Sequence, residues 1–577
     1  MKCTLVNANF RDNYGVQLLI SRGVKDVEQF LNPTIDMLQD PANLENMAAG
    51  AYLLLENLQE GGRIAIVVDS DADGFTSSAI LYQYIKRIAP DAEVDYFLHT
   101  KKQHGLSDFI NYFENSEVYY NLVICPDAGT NDYEYHERLG KIGIKTLVID
   151  HHQLDDGGRF SNHAIIINNQ TSPLYKNKDL TGAGVTFQFC RYLDKILNVD
   201  YAFDYIDLAA LGIIGDMGSV IQPENRYIIK RGLDKIKNFF FRALIDKQSY
   251  SMQGIVSPIT VSFYITPLIN AVIRVGEQEL KENMFKAFID GESLVPSNKR
   301  GAKGASEYLA VELAREAYNA RSRQNRVRDK MMEALEEQIT EKNLLDNKVL
   351  LIELTRQLDF PSELNGLIAM RLSSKYGRPT LVLRESFDGF IRGSARGIND
   401  SELTSFKNFM SDSGYAEFAS GHDQAFGCGL KQSEVDNFHI YANEKLKDVD
   451  FSEGVYNVNF VRNPHDSDLN VLIFDLDKYS KLWGQENPIP LIYIPQVVVD
   501  QKDIQVIGKN SDTLRFDVNG ITYIKFFAKE LIEKIKPYKS VAFSFVGEAA
   551  INEWPTGVFN PQIQVIGYTA TNGDLAF

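Results

Sequence analysis

The chain has 577 residues, of which 44% are hydrophobic and 24% charged, and a formal net charge of −17. This length predicts about three to five domains, and the acidic balance argues against a protein that coats nucleic acid through bulk electrostatics. The four cysteines form no CxxC pair, the start of the chain lacks an apolar leader, and no uninterrupted apolar run is long enough to span a membrane. We therefore expect a cytoplasmic protein without membrane segments, disulfides or zinc knuckles.

Three apolar runs in the first part of the chain predict strands of a parallel sheet. They are residues 62–69, 122–127 and 145–150, and helical patterns such as residues 76–88 separate them. Strands buried on both faces read as continuous apolar runs, and their alternation with helices is typical of a doubly wound α/β fold.

The rest of the chain predicts a long helix, a second α/β lobe and a small barrel. Residues 307–343 contain neither proline nor glycine, a strand pattern resumes at Lys348, and short β-rich runs separated by turn residues begin at about Leu482. We predict these domains: an N-terminal segment (1–60), a doubly wound α/β lobe (61–300), a long connecting helix (301–345), a second α/β lobe (346–445) and a C-terminal β-barrel (446–577).

Aspartates follow each of the three predicted strands. They are Asp69, Asp71 and Asp73 after the first strand, Asp127 after the second, and Asp150 after the third, which runs directly into His151 and His152. A further aspartate, Asp216, ends an apolar helix. Because ligands bind at the carboxyl ends of parallel strands, these side chains are expected to converge on one crevice.

A single aspartate after a strand is often only a helix N-cap, but a whole set of carboxylates needs a different explanation. Each close pair of charges repels by roughly 4 kcal/mol at an effective dielectric near 20, so protons or cations have to compensate. Several carboxylates with an imidazole and no thiolate suit two divalent ions that share one carboxylate, with Mn²⁺ preferred and Mg²⁺ as the alternative. Such a pair of ions is typical of phosphoester hydrolysis.

These residues stand in the order of a known family's motifs. The tripeptide Asp150-His151-His152 resembles the signature of the DHH phosphoesterases, residues 69–74 resemble its first motif, residues 126–129 its second, and Gly215-Asp216 its fourth. Further strings, such as residues 180–185, 393–396 and 420–427, extend a resemblance to RecJ-type single-strand-specific exonucleases over nearly the whole chain. The last part resembles that family's OB-fold module.

The resemblance implies a 5′-to-3′ exonuclease acting on single-stranded DNA in repair or recombination, with a DHH lobe, a DHH-associated lobe and an OB-fold. It implies the following roles: Asp71, Asp73, Asp127, His151 and Asp216 as metal ligands, with Asp127 bridging; Asp69, His152 and His422 as catalytic neighbours; and Ser394, Arg396 and Arg274 as a 5′-phosphate pocket. Where the family often has an arginine before Gly-Leu-Ser, this chain has Lys101 and Lys102, which we expect to contact DNA instead.

Two other functions fit parts of the pattern. One is a phosphodiesterase of the same superfamily for short oligonucleotides or cyclic dinucleotides, against which the OB-like tail argues. The other is a catalytically inactive replication scaffold, against which the retained acidic residues argue. A single-strand-binding protein and a helicase are the candidate protein partners. Arginines between residues 315 and 328 suit either a solvated helix face or a phosphate track, and Trp483 and Trp554 suit either base stacking or a barrel core.

Overall fold

The chain folds into two units. The computed structural model describes residues 1–101, 103–155, 157–355, 360–398, 401–451, 455–553 and 556–573. The first unit consists of Arg22–Gln324 and Lys481–Pro488, and the second of Met1–Ser21, Asn325–Ser480 and Ile489–Phe577. The predicted domain limits stay predictions, although the unit division separates the first 21 residues from those that follow.

The strands are, in chain order, β1 (Lys2–Leu5), β2 (Ile64–Val68), β3 (Val94–Leu98), β4 (Leu122–Pro126), β5 (Lys145–Asp150), β6 (Ala164–Asn168), β7 (Leu294–Pro296), β8 (Ser306–Tyr308), β9 (Leu350–Leu354), β10 (Thr380–Glu385), β11 (Phe390–Arg396), β12 (Ala416–His422), β13 (Ala425–Lys431), β14 (Val455–Val458), β15 (Phe460–Val461), β16 (Leu491–Asp500), β17 (Gln505–Ile507), β18 (Thr513–Val518), β19 (Ile521–Lys525), β20 (Ser540–Glu553) and β21 (Phe559–Asn572).

The α-helices are α1 (Tyr14–Ser21), α2 (Val27–Leu31), α3 (Met47–Gln59), α4 (Ala72–Ile88), α5 (Ile110–Asn115), α6 (Tyr133–Lys141), α7 (Gly182–Leu197), α8 (Ile206–Gly215), α9 (Pro223–Asp234), α10 (Phe239–Gln248), α11 (Pro258–Thr260), α12 (Thr266–Val275), α13 (Gln278–Asp290), α14 (Leu309–Glu341), α15 (Asn365–Tyr376), α16 (Phe406–Asp412), α17 (Val435–Lys445), α18 (Leu469–Asp477) and α19 (Lys529–Ile535).

The first unit is built on a five-stranded parallel sheet in the order β3-β2-β4-β5-β6. Successive side chains of β2 enter different apolar cores, since Ile64 and Ile66 join one cluster while Ala65 and Val67 join another. Helices therefore cover both faces, as predicted for a doubly wound sheet. The chain leaves β2 toward β3 on one side and returns to β4 on the other, so the gap between β2 and β4 is a topological switch point.

One stretch of the first unit, Pro258–Val275, is long and apolar enough to cross a membrane, with a mean hydropathy of 1.4 over 18 residues. Half of it is buried, and Ile265, Ile269 and Val272 belong to the same core as helices α4 and α8. This packing is that of a core helix, which has the same composition as a membrane span.

The predicted long helix is α14, which has 33 residues. In its second half, Met331, Leu335 and Ile339 recur every four residues and pack with β9 and α15 of the second unit, because positions four apart lie on one face of a helix. The adjoining sheet has the order β12-β13-β11-β10-β9, with only the β9–β10 pair parallel. This is the predicted second α/β lobe.

The C-terminal strands form a seven-stranded sheet in the order β15-β16-β20-β21-β19-β18-β17. Its core is aromatic: the ring centroids of Phe516 and Tyr523 lie 5.2 Å apart, and those of Phe543 and Phe545 lie 4.9 Å apart. Among the described residues, β15 and β17 pair on one side only, so the sheet is an open form of the predicted barrel. Strand β1 pairs with β14 across more than 450 residues of sequence, which no local pattern predicted.

Candidate metal centre

The first cluster of aspartates lies where β2 ends and α4 begins. The helix starts at Ala72, earlier than the predicted residue 76, because one carboxylate oxygen of Asp71 caps it by accepting hydrogen bonds from the backbone N–H groups of Asp73 and Gly74, both at 3.0 Å. Asp71 is therefore the N-cap of α4, and its second oxygen takes no part in the cap. Asp69 and Asp73 are both buried, at 1% exposure.

Asp73 is held by the start of α7. Its Oδ1 accepts hydrogen bonds from Thr181 Oγ1 at 3.0 Å and from the Ala183 N–H at 3.1 Å. A Cβ atom at Gly212 would lie 2.3 Å from this oxygen, so helix α8 can approach only because it carries glycine there. These contacts engage Oδ1 and leave Oδ2 without a hydrogen-bond donor among the described residues.

Asp127 follows β4 with a φ of +70°, a conformation that aspartate and asparagine tolerate better than most residues. Its carboxylate packs against the start of α7, where a Cβ atom at Gly182 would lie 2.3 Å from Oδ1. Gly182, the first glycine of the Leu-Thr-Gly-Ala-Gly string, is therefore required, because any side chain there would overlap the Asp127 carboxylate.

The Asp-His-His string has a division of roles. Asp150 Oδ1 accepts hydrogen bonds from the backbone N–H groups of His151 and His152 at 2.7 and 3.2 Å and lies 2.8 Å from His152 Nδ1. Its Oδ2 accepts the Thr130 N–H at 3.0 Å. With both oxygens occupied, Asp150 orders the turn and presents the His151 ring to the other aspartates.

His151 lies among three carboxylates. Its Nε2 is 3.1 Å from Asp127 Oδ1, 3.6 Å from Asp216 Oδ2 and 4.0 Å from Asp73 Oδ2. Asp216 reaches the site from the C-cap of α8, as predicted, and its side chain is 40% exposed. The structure thus brings together side chains from the ends of three strands, β2, β4 and β5, and from the end of helix α8.

Burial dominates the electrostatics of these groups. Burial, together with the neighbouring aspartates, raises the pKa of Asp127 well above its ordinary value and that of Asp216 to about 8. Burial also raises the pKa of Asp73 and lowers that of His151. Without a compensating cation, these shifts favour protonation of Asp127 and Asp216, and burial favours the neutral form of His151, which is the form that binds a metal.

His152, the second histidine of the string, favours its charged form, unlike His151. Burial alone would lower its pKa, but the hydrogen bond and charge of Asp150 raise the pKa of His152 to about 9. Burial likewise would raise the pKa of Asp150, and His152 outweighs this and holds it below the usual range. His152 is thus a half-exposed cation beside the carboxylates.

Two atoms test whether metal ions fit the site. Asp73 Oδ2 and Asp127 Oδ1 are buried and meet no hydrogen-bond donor among the described residues, although native proteins satisfy most buried polar atoms. Ligand atoms of Asp73, His151 and Asp216 lie within 4.8 Å of one another, and so do those of Asp69, Asp71 and Asp127. The donor set of carboxylates and one imidazole fits two divalent cations.

Sequence reasoning missed one neighbour of this centre, His104, whose Nδ1 lies 2.6 Å from Asp69 Oδ2. The other oxygen of Asp69 accepts the Gly105 N–H at 3.3 Å. With both oxygens engaged, Asp69 fits a supporting role better than that of a ligand. The only signal for His104 was its place before the Gly-Leu-Ser string.

Two domain families match this chain. Residues 63–213 match the N-terminal domain of the DHH family, and residues 465–566 match the RecJ OB domain. The SPbeta prophage-derived protein YorK of Bacillus subtilis (strain 168), which is named as a single-strand DNA-specific exonuclease, is 35% identical over 556 residues, covering 95% of this chain and 94% of its own. The chain belongs to the RecJ family of the DHH superfamily.

Other RecJ proteins agree with this assignment. The single-stranded-DNA-specific exonuclease RecJ of Bacillus subtilis (strain 168) is 26% identical over 555 residues, which cover 93% of this chain and 65% of that protein. The crystal structure of RecJ from Thermus thermophilus in complex with Mn²⁺ has the same fold, with a TM-score of 0.72 at 20% identity, covering 96% of this chain and 75% of that one.

Two of the predicted DNA contacts in the first unit of this RecJ-family chain can be placed. Arg274 lies in the last turn of α12, where burial lowers its pKa and the charge of Asp71 opposes that shift. Within the described part of the chain it forms no hydrogen bond or ion pair, so its charge faces the metal centre at longer range. Lys101 is exposed, and Lys102 lies outside the described residues.

The predicted 5′-phosphate residues lie together in the second unit. Ser394 and Arg396 are two apart on β11 and therefore share a face of the sheet. A Cβ atom at Gly366, in the first turn of α15, would lie 2.8 Å from Arg396 Nη2 and 3.6 Å from Ser394 Oγ. Arg396 Nη1 also donates a hydrogen bond to the Ala395 carbonyl at 2.6 Å, so the guanidinium is held beside the first turn of α15.

The other residues singled out from the sequence are a histidine of the second lobe, two tryptophans and the arginines of the long helix. His422 is exposed at the end of β12. Trp483 is buried at 4% exposure, under the guanidinium of Arg22, so it is a core residue of the first unit and offers no face for base stacking; Trp554 lies outside the described residues. On α14, Arg315 and Arg328 pair with carboxylates, and their side chains are only 18% and 13% exposed, so the charges of these two are paired within the fold.

Proposed function

We propose that this chain is a metal-dependent exonuclease that hydrolyses single-stranded DNA from the 5′ end. The observation that carries the proposal is the pair of buried, donor-free oxygens of Asp73 and Asp127 beside the neutral imidazole of His151, in a chain of the RecJ family. Mn²⁺ is the preferred ion and Mg²⁺ the alternative, in line with the RecJ crystal structures that contain each of them.

The ligand set is assigned from two of the three groups of close oxygen and nitrogen atoms. The third group, Asp127, Asp150, His151 and His152, is set aside because hydrogen bonds engage both oxygens of Asp150. Asp73, His151 and Asp216 would hold one ion and Asp71 the other. Asp127 would serve both, because it lies next to His151 and also within the group of Asp69 and Asp71. When bound, the two ions supply Lewis acidity that activates water and stabilises negative charge on the phosphoryl oxygens.

His152 acts on the substrate and not on the metals. Its Nδ1 is bound by Asp150, its pKa is about 9 and its side chain is 49% exposed. At neutral pH the ring is an imidazolium that donates a hydrogen bond from Nε2 to a phosphate oxygen of the bound strand. We assign a similar contact to His422, and phosphate contacts to Arg274, Lys101 and Lys102.

Polarity comes from recognition of the terminal 5′-phosphate by Ser394 and Arg396. A terminal phosphate carries more charge than an internal phosphodiester and can accept a bidentate pair of hydrogen bonds from a guanidinium. The positive first turn of α15 beside Arg396 supports an anion at this place. The C-terminal RecJ OB domain binds upstream single-stranded DNA, and a single-strand-binding protein or a helicase remains the candidate partner in repair or recombination.

The two alternative functions have less support. A phosphodiesterase for dinucleotides has no need of the OB domain matched by residues 465–566. An inactive scaffold has no need of the unsatisfied carboxylate oxygens, which are unfavourable without a ligand.

The proposed function is tested by digesting 5′-phosphorylated single strands that carry a label at either end. The expected result with Mn²⁺ is early release of a labelled mononucleotide from the 5′-labelled strand and progressive shortening of the 3′-labelled one. EDTA should abolish both. Digestion from the 3′ end, or full activity in chelator after dialysis, would contradict the proposal.

A further inference from the structure

The helix that ends with Arg274 has an exposed aromatic side chain near its start. A π-helical turn, Val261–Ile265, joins α11 to α12, and the Thr266 N–H donates to the Val261 carbonyl five residues earlier. Phe263 lies in the middle of this turn and is 71% exposed. Such π-helical turns are rare in proteins and are frequently found at functional sites.

Phe263 belongs to the solvent face of this helix. Pro267, Asn270 and Arg274 follow it at spacings of four, three and four residues and are all partly exposed, because positions three and four apart lie on one face of a helix. The opposite face enters the core of the first unit through Ile265, Leu268, Ile269, Val272 and Ile273. Core packing therefore holds Phe263 on the same side of the helix as Arg274.

This solvent face passes along the metal centre. A Cβ atom at Gly215 would lie 3.8 Å from Thr266 Cγ2, and Gly215 directly precedes Asp216. Phe263 lies three residues before Thr266, or roughly 4–5 Å along a helix axis. At the other end of the face is Arg274, whose charge faces the metal centre. Phe263 is thus within one helical turn of the helix position that packs beside the Asp216 edge of the centre.

A second apolar side chain lies at this edge. Met217 directly follows Asp216, has a φ of +61° and is 56% exposed. Single exposed apolar side chains are common on protein surfaces, but Phe263 and Met217 are both close in the fold to an aspartate assigned to a metal ion. The parts of a DNA strand that suit such side chains are the flat faces of its bases, which stack on aromatic rings.

We propose that the Phe263 ring stacks on the base of a nucleotide next to the scissile linkage. The arginine and lysine contacts assigned above hold only the phosphates of the strand, and a stacked base anchors the nucleotide at a second point. Stacking tolerates every sequence, because each base has a π-face, as a nuclease that degrades a strand stepwise requires. The proposal rests on the proposed nuclease function.

The test combines Phe263→Ala and Phe263→Trp with 5′-phosphorylated single strands in which one of the first few nucleotides lacks its base. The release of the first nucleotide is measured in single turnovers with Mn²⁺, below saturation. In EDTA, the fluorescence of 2-aminopurine at the position most sensitive to base loss reports stacking. Melting temperature and Mn²⁺ binding by calorimetry are measured on the same proteins.

Tyr52→Ala is the matched control. Tyr52 is 63% exposed on α3 of the same unit and lines a cleft beside Lys145, the first residue of β5. Because this cleft is at the amino end of the parallel sheet and the metal centre is at its carboxyl end, Tyr52→Ala should match the wild type in every measurement.

We expect loss of the base at one position to slow the wild type by about 5- to 100-fold, the range of one stacking contact. Phe263→Ala should be slowed by a similar factor on intact strands and should show no further loss at that position. Phe263→Trp should keep the wild-type profile, because tryptophan also stacks. The fluorescence of bound 2-aminopurine should be lower with the wild type than with Phe263→Ala. Melting temperature and Mn²⁺ binding should not change, because Phe263 is exposed.

Three results would overturn the proposal: a wild-type rate of Phe263→Ala on intact strands, a penalty for base loss that is the same in Phe263→Ala as in the wild type at every position, or 2-aminopurine fluorescence that Phe263→Ala leaves unchanged. A loss of melting temperature or Mn²⁺ binding that accounts for the slower rate would also overturn it. A wild-type protein that leaves intact single strands undigested would instead overturn the proposed function, and the role of Phe263 with it.

Discussion

His151 Nε2 lies 3.1 Å from Asp127 Oδ1, yet this oxygen receives no hydrogen bond from any described residue. The His151 nitrogen and the Asp127 oxygen therefore lie close together without forming a hydrogen bond, which is the arrangement expected of two ligands of one cation. Asp127 also lies within ligand distance of Asp71, and the strand order puts it at the switch point of the sheet.

Asp127→Asn should abolish nuclease activity without unfolding the protein. Asparagine tolerates the φ of +70° as well as aspartate does, so the change removes charge and adds little backbone strain. The rate should fall by several orders of magnitude because both ions lose a shared ligand, and the metal-free melting temperature should stay the same or rise because repulsion is relieved.

Exposed Asp91 provides a control for this change, because Asp91→Asn removes the same charge from a turn after α4. It should retain full activity and metal binding. An active Asp127→Asn enzyme would show that the metal centre has been placed wrongly.

Mn²⁺ binding should release protons at pH 7. In the metal-free protein, burial and neighbouring carboxylates raise the pKa of Asp216 to about 8 and also raise those of Asp73 and Asp127. A cation displaces the protons that these groups hold, so the affinity should increase as the pH rises and level off above about pH 8. Calorimetry in buffers of different ionisation enthalpy measures the number of protons released. If no protons were released, the pKa values of these aspartates could not be raised.

Metal-free stability should have the opposite dependence on pH. For these aspartates the folded pKa is raised above the unfolded one, so the folded state binds more protons and their contribution decreases from about pH 4 to about pH 8. The difference in melting temperature between the Mn²⁺-bound and metal-free protein should therefore grow over this range. A constant difference would mean that the carboxyl groups are already ionised in the metal-free fold.

Arg396→Lys should reduce the preference for a 5′-phosphate over a 5′-hydroxyl by about 10- to 100-fold, because lysine keeps the charge but cannot form a bidentate contact. Mn²⁺ binding should not change. Arg392→Ala on the same strand is the control, since Arg392 is already paired with Glu417 and Asp388. A full 5′-phosphate preference in Arg396→Lys would show that the pocket lies elsewhere.

Trp483→Ala should destabilise the first unit by about 3–5 kcal/mol, as truncation of a buried aromatic residue does, and should leave the single-strand affinity of the folded protein unchanged. The residue lies in Lys481–Pro488, which joins the first unit through contacts such as the Val220 N–H to the Gln485 carbonyl at 3.1 Å. For this reason, truncating the chain after Leu446 would damage the first unit as well as remove the OB domain.

For Trp483→Ala, thermal melting measures the loss of stability and titration with single strands measures the affinity. Weaker binding without a change in melting would restore the stacking interpretation.

Local sequence patterns predicted the parts of the fold that depend on short-range physics. The buried strand before Asp69, the strand before His151 and the 33-residue α14 all follow from apolar periods and the absence of breakers. The convergence of the aspartates followed from the rule for parallel sheets, and the structure bears out that they lie close to one another and to His151.

Contacts between distant parts of the chain could not be predicted from local sequence patterns. Two contacts join residues more than 400 positions apart: the β1–β14 pair and the packing of Trp483 in the first unit. Neither sequence segment contains a pattern that indicates which segment it contacts. His104 was missed because a histidine in a loop has no pattern of its own until the fold places it beside Asp69.

Anomalous diffraction from crystals grown with Mn²⁺ would show whether two ions share Asp127. We expect two anomalous peaks, one contacted by Asp73, His151 and Asp216 and the other by Asp71, with Asp127 contacting both. A single peak, or two peaks of which only one is contacted by Asp127, would contradict it.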